Sequence, residues 1–167
     1  MRIVAVIQAR LTSTRFPNKV MQTVGGKTLI KRLWDAAKGS IVDKVVVAWP
    51  EGFPELDENN VLGRFQIIAK REQADVIVRL TADCPLVTTK HINEAIRSYN
   101  IWGEPYYCNR VMYQDGFDVQ VFNRGVLFDE RINDREHVLK PRQWPTDMMA
   151  KLSVDTQADL ARVRLYA

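Results

Sequence analysis

Three cations, Arg10, Arg15 and Lys19, and three hydroxyls, Thr12, Ser13 and Thr14, crowd the stretch that follows the apolar run Ile3-Val4-Ala5-Val6-Ile7. Packing at the end of a buried strand asks for no such charge. A polyphosphate does, because a strand feeding a polar loop and then a helix presents backbone N–H groups and positive charge to bound phosphate. Arginine grips two phosphate oxygens at once, whereas lysine acts as a point charge. The chemistry expected of this loop is the binding of a nucleotide by its phosphates.

Two acids are the second feature. Asp83 lies in Thr81-Ala82-Asp83-Cys84-Pro85, just past a strand-like run, and Asp155 follows the short strand-like run Lys151-Leu152-Ser153-Val154. Ligands of open α/β sheets gather beyond the carboxyl ends of the strands, so both carboxylates reach that edge if their strands are parallel. Two acids converging opposite a cationic loop suit Mg²⁺ that bridges protein and phosphate. The plainer readings make Asp83 a turn residue before proline and Asp155 a helix cap. Gly25-Gly26-Lys27-Thr28 lacks the glycine that a phosphate-binding P-loop needs at the position of Met21, and reads as a tight turn into a helix. His91 reads as a surface residue of an amphipathic helix.

The elements that must carry these residues alternate. Strands are expected at 2–8, 44–49 and 75–81, and helices at 27–38, 61–73 and 88–99, where apolar residues recur at helical spacing. Continuous β-branched strands each followed by a helix indicate a mostly parallel sheet covered on both faces, an α/β fold in three layers. Beyond residue 100 the pattern changes. Strand-like runs at 106–109 and 117–122 flank the turn signal Gln114-Asp115-Gly116. In the second, Phe117, Val119 and Val121 alternate with Asp118 and Gln120, which predicts a strand with one wet face, at a sheet edge or lining a cleft. Helical stretches are expected near 124–131 and 134–143. Thr156 with Asp159 three residues on predicts a capped helix start near Gln157.

Composition sets outer bounds. The 167 residues suit a single domain over 1–167, with 46% hydrophobic and 26% charged residues, ordinary for a soluble globular protein. Two cysteines, Cys84 and Cys108, are too few for a disulfide framework, no apolar stretch approaches a membrane span, and no signal peptide is read at the N-terminus. The expected setting is cytoplasmic, away from membranes. The net charge of +4 is scattered among acids such as Asp57-Glu58 and Asp129-Glu130, so a nucleic-acid partner is not expected.

Taken in order, six motifs carry a resemblance. They are Gln8-Ala9-Arg10 with Ser13-Thr14-Arg15-Phe16-Pro17-Asn18-Lys19-Val20; Gly25-Gly26-Lys27; Val78-Arg79-Leu80-Thr81-Ala82-Asp83-Cys84-Pro85-Leu86; Asp115-Gly116-Phe117-Asp118-Val119; Arg135-Glu136-His137-Val138; and Ser153-Val154-Asp155-Thr156-Gln157-Ala158-Asp159-Leu160. Together they resemble the cytidylyltransferase family, which includes CMP-sialic acid and CMP-Kdo synthetases, and within it the spore-coat polysaccharide type. The resemblance implies a Rossmann-like nucleotidyltransferase fold. It implies an Mg²⁺-dependent enzyme that transfers CMP from CTP to a sugar or sugar acid, releases pyrophosphate, and serves surface polysaccharide or glycan biosynthesis. Carried over by position, Ala9, Arg10, Ser13, Thr14, Arg15 and Lys19 line the nucleotide-phosphate loop. Of these, Lys19, Arg15 and Arg10 act in catalysis. Arg79 and Thr81 sit beside the base or ribose, Asp83 and Asp155 hold Mg²⁺, and Asp118, Glu136 and His137 face the acceptor. A homodimer is a further expectation, since related synthetases pair and an edge strand near 117–122 calls for a cover.

The sequence departs from the family in three places. Thr12 and Asn18 stand where glycine is common, and of the two only asparagine readily accepts left-handed backbone. Gly63 replaces an acid within a helix. The connection from Trp49 to Val61 and the segment from Val138 to Met149 are short. Those cuts are expected to fall on acceptor recognition more than on the phosphate loop. The alternative function is a nucleotide-binding module of the same fold without efficient turnover.

Overall fold

A computed structural model describes residues 1–109, 112–129 and 152–167. Ile3–Gln8 (β1), Lys44–Ala48 (β4), Val76–Thr81 (β5), Tyr106–Cys108 (β6) and Val119–Asn123 (β7) form a five-stranded sheet in the order β4-β1-β5-β7-β6, with β4 and β6 at its edges. β1 pairs in parallel with both β4 and β5. β7 runs antiparallel to β5 and to the edge strand β6, so four of the five strands point the same way. Thr23–Val24 (β2) and Lys27–Thr28 (β3) make a separate two-stranded hairpin. Gly25 and Gly26 form its turn, at φ 56° and 77°, and Thr28 caps the helix that follows by accepting from Lys31 N. The tight turn into a helix is thus what Gly-Gly-Lys-Thr makes.

The continuous apolar strands are buried because helices cover both faces. Leu29–Lys38 (α1) and Thr89–Trp102 (α3) pack Leu33, Ala37, Ile92 and Ile96 against Ala5, Ile7, Val78, Val119 and Val121. On the other face Val61–Arg71 (α2) packs Phe65, Ile68 and Ala69 against Val4, Val6, Ile77 and Phe122. Phe65 is fully buried, and truncating such a residue to alanine costs about 3–5 kcal/mol. From β1 the chain leaves through α1 to β4 on one side, then returns through α2 to β5 on the other. The direction of winding therefore reverses at β1, and the crevice opens beyond its carboxyl end, where residues 9–19 lie.

Three sequence expectations need correction here. β7 is neither an edge nor half wet: it lies between β5 and β6, and Val119 through Phe122 are all buried. Gln120, 4% exposed, alternates with apolar neighbours because it enters a buried polar network. The structural reason for a covering partner at 117–122 goes with it. The stretch 152–154 is also not a strand. It is an irregular segment whose Leu152, Ser153 and Val154 are nonetheless buried. Of the helices expected near 124–131 and 134–143, the first is a short 3₁₀ turn at Arg124–Leu127, and the second lies outside the described residues. The capped helix does begin at Gln157, as Gln157–Arg164 (α4), with Thr156 and Asp159 forming the reciprocal cap.

Candidate active site

The loop after β1 is held by its own backbone. Asn18 N donates to Leu11 O at 2.9 Å, and Phe16 N donates to Ser13 Oγ at 3.4 Å. Asn18 adopts the left-handed conformation, φ 55° and ψ 23°, whereas Thr12 does not have a positive φ. Of the two residues that replace glycine, only the asparagine occupies the conformation for which glycine is suited. Phe16 plugs the loop into a small core with Leu29, Leu86, Leu152, Val154 and Leu160, which also fastens the N-terminal side of α4. That anchor carries Lys19 to the sheet's carboxyl edge.

There Lys19 meets both acids. Its Nζ lies 3.1 Å from Asp83 Oδ2 and 3.0 Å from Asp155 Oδ1, and its side chain is 11% exposed. Burial by itself draws the ammonium's pKa down, but the carboxylates of Asp83 and Asp155 together outweigh it and hold the group above its ordinary value. Arg15, largely exposed, reaches Asp155 Oδ1 at 3.4 Å. Asp83 and Asp155 thus lie together at this edge, as expected, and the cation between them is the Lys19 ammonium. Asp155 arrives there by a different route, because Val154 N donates to Asp83 O at 2.7 Å and brings the irregular segment 152–155 alongside the β5 turn. Both Asp155 N and Thr156 N donate to Asp159 Oδ2, at 3.1 and 3.0 Å, so the same capping group that starts α4 also fixes Asp155.

The other expected residues distribute around this centre. Ala9 and Ser13 are buried within the loop, and Thr14 is exposed. Arg10 Nη1 donates to Asn59 Oδ1 at 3.4 Å, and Thr12 Oγ1 donates to Glu58 Oε2 at 2.8 Å. These contacts show that the short connection between β4 and α2 abuts the loop after β1. Asp118 stands at the same edge, just before β7, with Cys84 Sγ 3.8 Å from Asp118 Oδ2 and 3.7 Å from Asp83 Oδ1. Thr81 Oγ1 lies 3.3 Å from the same sulfur. Burial pushes the Cys84 thiol well above its usual range, with the charges of Asp83 and Asp118 adding to the effect, so this cysteine is an inert packing group rather than a nucleophile. Glu136 and His137 lie outside the described residues.

Arg79 is the most deeply set charged side chain among the expected residues, at 5% exposure. Its Nε and Nη2 donate to Gln8 Oε1 at 3.1 and 2.7 Å, and its Nη1 donates to Gln120 Oε1. Gln120 Nε2 in turn donates to Tyr106 Oη at 2.8 Å. Burial lowers the Arg79 pKa to about 10, yet the guanidinium stays charged at neutral pH. Sequence reasoning missed Gln8 and Gln120; the signal was a polar residue ending one apolar run and interrupting another. His91 was misread as a surface residue. It is half-buried, accepts or shares hydrogen bonds with Thr88 at 3.1 Å, and packs edge-on against Tyr113 and Phe117.

Two carboxylates gripping one ammonium group form a donor set suited to a hard divalent cation that keeps several waters and takes its remaining ligands from phosphate. Among the described residues no group of three or more His, Cys, Asp or Glu side chains gathers around a common point, so a complete protein cage is not on offer there. No helix among the described residues is long and apolar enough to cross a membrane. A shallow depression lined by Tyr99, Gly103, Glu104, Pro105 and Asn123 lies at the opposite edge of the sheet and shares no residue with this centre.

Comparison with known proteins points to a family and a fold. Residues 4–49 match the cytidylyltransferase family model. The 3-deoxy-manno-octulosonate cytidylyltransferase of Pelobacter propionicus is 31% identical over 112 residues, covering 58% of this chain but only 44% of that protein. The chain thus spans less than half the length of this relative. Among solved structures, a cytidylyltransferase from Leptospira borgpetersenii superposes with a TM-score of 0.79 at 24% identity, covering 98% of this chain and 85% of that one. A CMP:2-keto-3-deoxy-manno-octonic acid synthetase complexed with CTP gives 0.69 at 16% identity, covering 99% and 98%. At these identities the structural matches establish the shared Rossmann-like nucleotidyltransferase fold.

Proposed function

We propose, from the premise that this chain is a member of the cytidylyltransferase family over the part it shares with those relatives, that it transfers CMP from CTP to a sugar or sugar-acid hydroxyl. The observation that carries the reading is the Lys19 ammonium joining Asp83 to Asp155 beside Arg15. Phosphate binding alone needs cations and no acids; a paired set of acids beside the cations is what metal-assisted transfer requires.

In this reading the acceptor oxygen attacks the α-phosphorus, the bond from that phosphorus to the oxygen bridging it to the β-phosphorus breaks, that oxygen leaves with pyrophosphate, and the acceptor's proton passes to solvent. Arg10 and Arg15 grip the phosphates, and Lys19 answers the charge that builds on the leaving group. A cation already fixed in place needs no reorganisation as that charge develops. Asp83 and Asp155 would hold Mg²⁺, which when bound neutralises phosphoryl charge and polarises the reacting centre. Arg79 and Thr81 lie beside the base or ribose, while Asp118, Glu136 and His137 orient the acceptor. Positioning and electrostatics then carry most of the rate, as in other phosphoryl transfers. A cytoplasmic setting supplies the CTP, and an activated sugar for surface polysaccharide or glycan synthesis is the product.

The test is a thermal-shift comparison of CTP, UTP, GTP and ATP with and without Mg²⁺, followed by pyrophosphate release with sugar-acid acceptors. CTP with Mg²⁺ is expected to stabilise most, since a ligand that binds only the native state raises its apparent stability by mass action. Stabilisation without pyrophosphate release from any acceptor would leave a binding module, and no nucleotide response would end the reading.

A further inference from the structure

The motif Asp115-Gly116 has no part in the chemistry above, yet the structure sets it directly against the segment that ends in Asp155. Gly116 has φ +102°, and a Cβ there would stand 2.4 Å from the Leu152 carbonyl carbon, 2.7 Å from its oxygen and 2.7 Å from Ser153 N. All three neighbours are backbone atoms, so no flexible side chain can give way. Asp115 adds two hydrogen bonds: its carbonyl accepts from Leu152 N at 3.1 Å, and its Oδ2 accepts from Ser153 Oγ at 2.7 Å.

We propose that the Asp115–Gly116 turn is a positioning element that sets the register of residues 152–155 and thereby holds Asp155 against Lys19 and Asp83. Apolar burial of Leu152 and Val154 keeps the segment down but is non-directional, and does not choose which residue reaches the ammonium. The hydrogen bonds make that choice. Leu152 is held by the Asp115 carbonyl, Ser153 by the Asp115 carboxylate and Val154 by the Asp83 carbonyl, with Asp155 and Thr156 held by Asp159. A slip of one residue would bring Val154 or Thr156 to the place of Asp155.

The turn itself is well anchored. Asn109, 1% exposed, donates from Nδ2 to Phe117 O at 2.8 Å and accepts from Val119 N at 2.8 Å. The His91 ring lies edge-on to Tyr113 and Phe117, with centroids 4.7 and 4.9 Å apart, which ties the turn to the first turn of α3. Glycine is thus demanded at 116 by the close approach of a second backbone, and the aspartate before it supplies both acceptors.

This role rests on Asp155 being a metal holder, so the experiment separates the two claims. Mn²⁺ affinity of the nucleotide-free full chain and hydrogen exchange at the Leu152 and Val154 amides are measured for the unaltered protein, Gly116→Ala, Ser153→Ala and Asp115→Asn. Gly116→Ala should weaken Mn²⁺ binding by about 10–100-fold, the usual effect of losing a partner that orients a metal ligand. It should also speed exchange at those two amides while β1 and β5 stay protected. Ser153→Ala should show the same effects to a smaller degree. Asp115→Asn keeps both acceptors and should stay near the unaltered values. A folded Gly116→Ala with normal Mn²⁺ affinity and slow exchange overturns the proposal. If Gly116→Ala does not fold, Ser153→Ala decides: unchanged exchange and affinity there overturn it equally. If the unaltered chain binds no Mn²⁺, the metal reading fails, and the exchange data alone judge the clamp by the same criterion.

Discussion

Replacing Lys19 with methionine separates charge from packing at the centre of the site. Methionine keeps most of the buried stem and removes only the ammonium, which makes hydrogen bonds of 3.1 and 3.0 Å to Asp83 and Asp155. A hydrogen bond to a charged group is worth about 1.5–3 kcal/mol. The two carboxylates keep 29% and 21% of their exposure, so each bond falls at the low end of that range, and Lys19→Met should lose about 3 kcal/mol of stability without metal. Lys19 and a divalent ion compete for the same oxygens, so metal should bind the variant more tightly and restore much of that loss. Turnover should move the other way. Losing a fixed charge that acts mainly in the transition state costs about 10²–10³ in kcat. Chemical denaturation with and without Mg²⁺, Mn²⁺ titration by calorimetry, and pyrophosphate release measure these three quantities. Turnover within tenfold of the unaltered protein, or metal binding that weakens in the variant, would refute the reasoning.

Further outcomes follow from the same geometry. Asp83→Asn and Asp155→Asn should each raise the Mg²⁺ concentration needed for activity and lower kcat together; a metal titration that does not move would remove that acid from the metal site. Asn18→Gly should be nearly neutral, while Asn18→Val should lose about 1–2 kcal/mol because it forces a β-branched residue into left-handed backbone; equal denaturation midpoints would contradict this. Thr156→Ala removes the Oγ1 that Asp159 N donates to at 3.2 Å, and should cost about 1 kcal/mol together with a measurable loss of Mn²⁺ affinity. His91 has a pKa below 6.5 because burial disfavours its charged form; Glu94 pulls it up and Lys90 pushes it further down. Its folded-state pKa being depressed, the stability it contributes is full above pH 6.5 and is lost as pH falls through the folded pKa. Thermal midpoints should therefore drop between pH 7.5 and 5.5, and less so in His91→Gln; parallel pH profiles would exclude that residue.

Periodicity was a sound guide where one residue pattern had one physical cause. The runs that became β1, β4 and β5 are largely apolar because helices cover both faces, and the cationic loop stood out because burial could not account for it. Alternation at 117–122 misled because a buried amide that serves a guanidinium reads in sequence like a solvent-facing one: Gln120 looks wet and is held by Arg79. The run at 151–154 misled because β-branched and apolar residues mark burial, while strand pairing also needs a partner backbone in register. Here the donors of Leu152 and Val154 go to turns at Asp115 and Asp83. Nor could spacing reveal that Glu58 and Asn59 would meet Thr12 and Arg10, since that contact depends on where the β4–α2 connection crosses the sheet edge.

The ties at Lys19 join parts of the chain 64 and 136 positions apart. Closing such wide loops is slow, because the entropy of bringing distant segments together is lost before any contact repays it. The central sheet needs only residues up to Asn123, so it can condense first, with the reactive centre completed afterwards when α4 docks through Leu160 and Val163. A nascent or partly refolded molecule would then hold a formed sheet in which Asp155 has yet to reach Lys19.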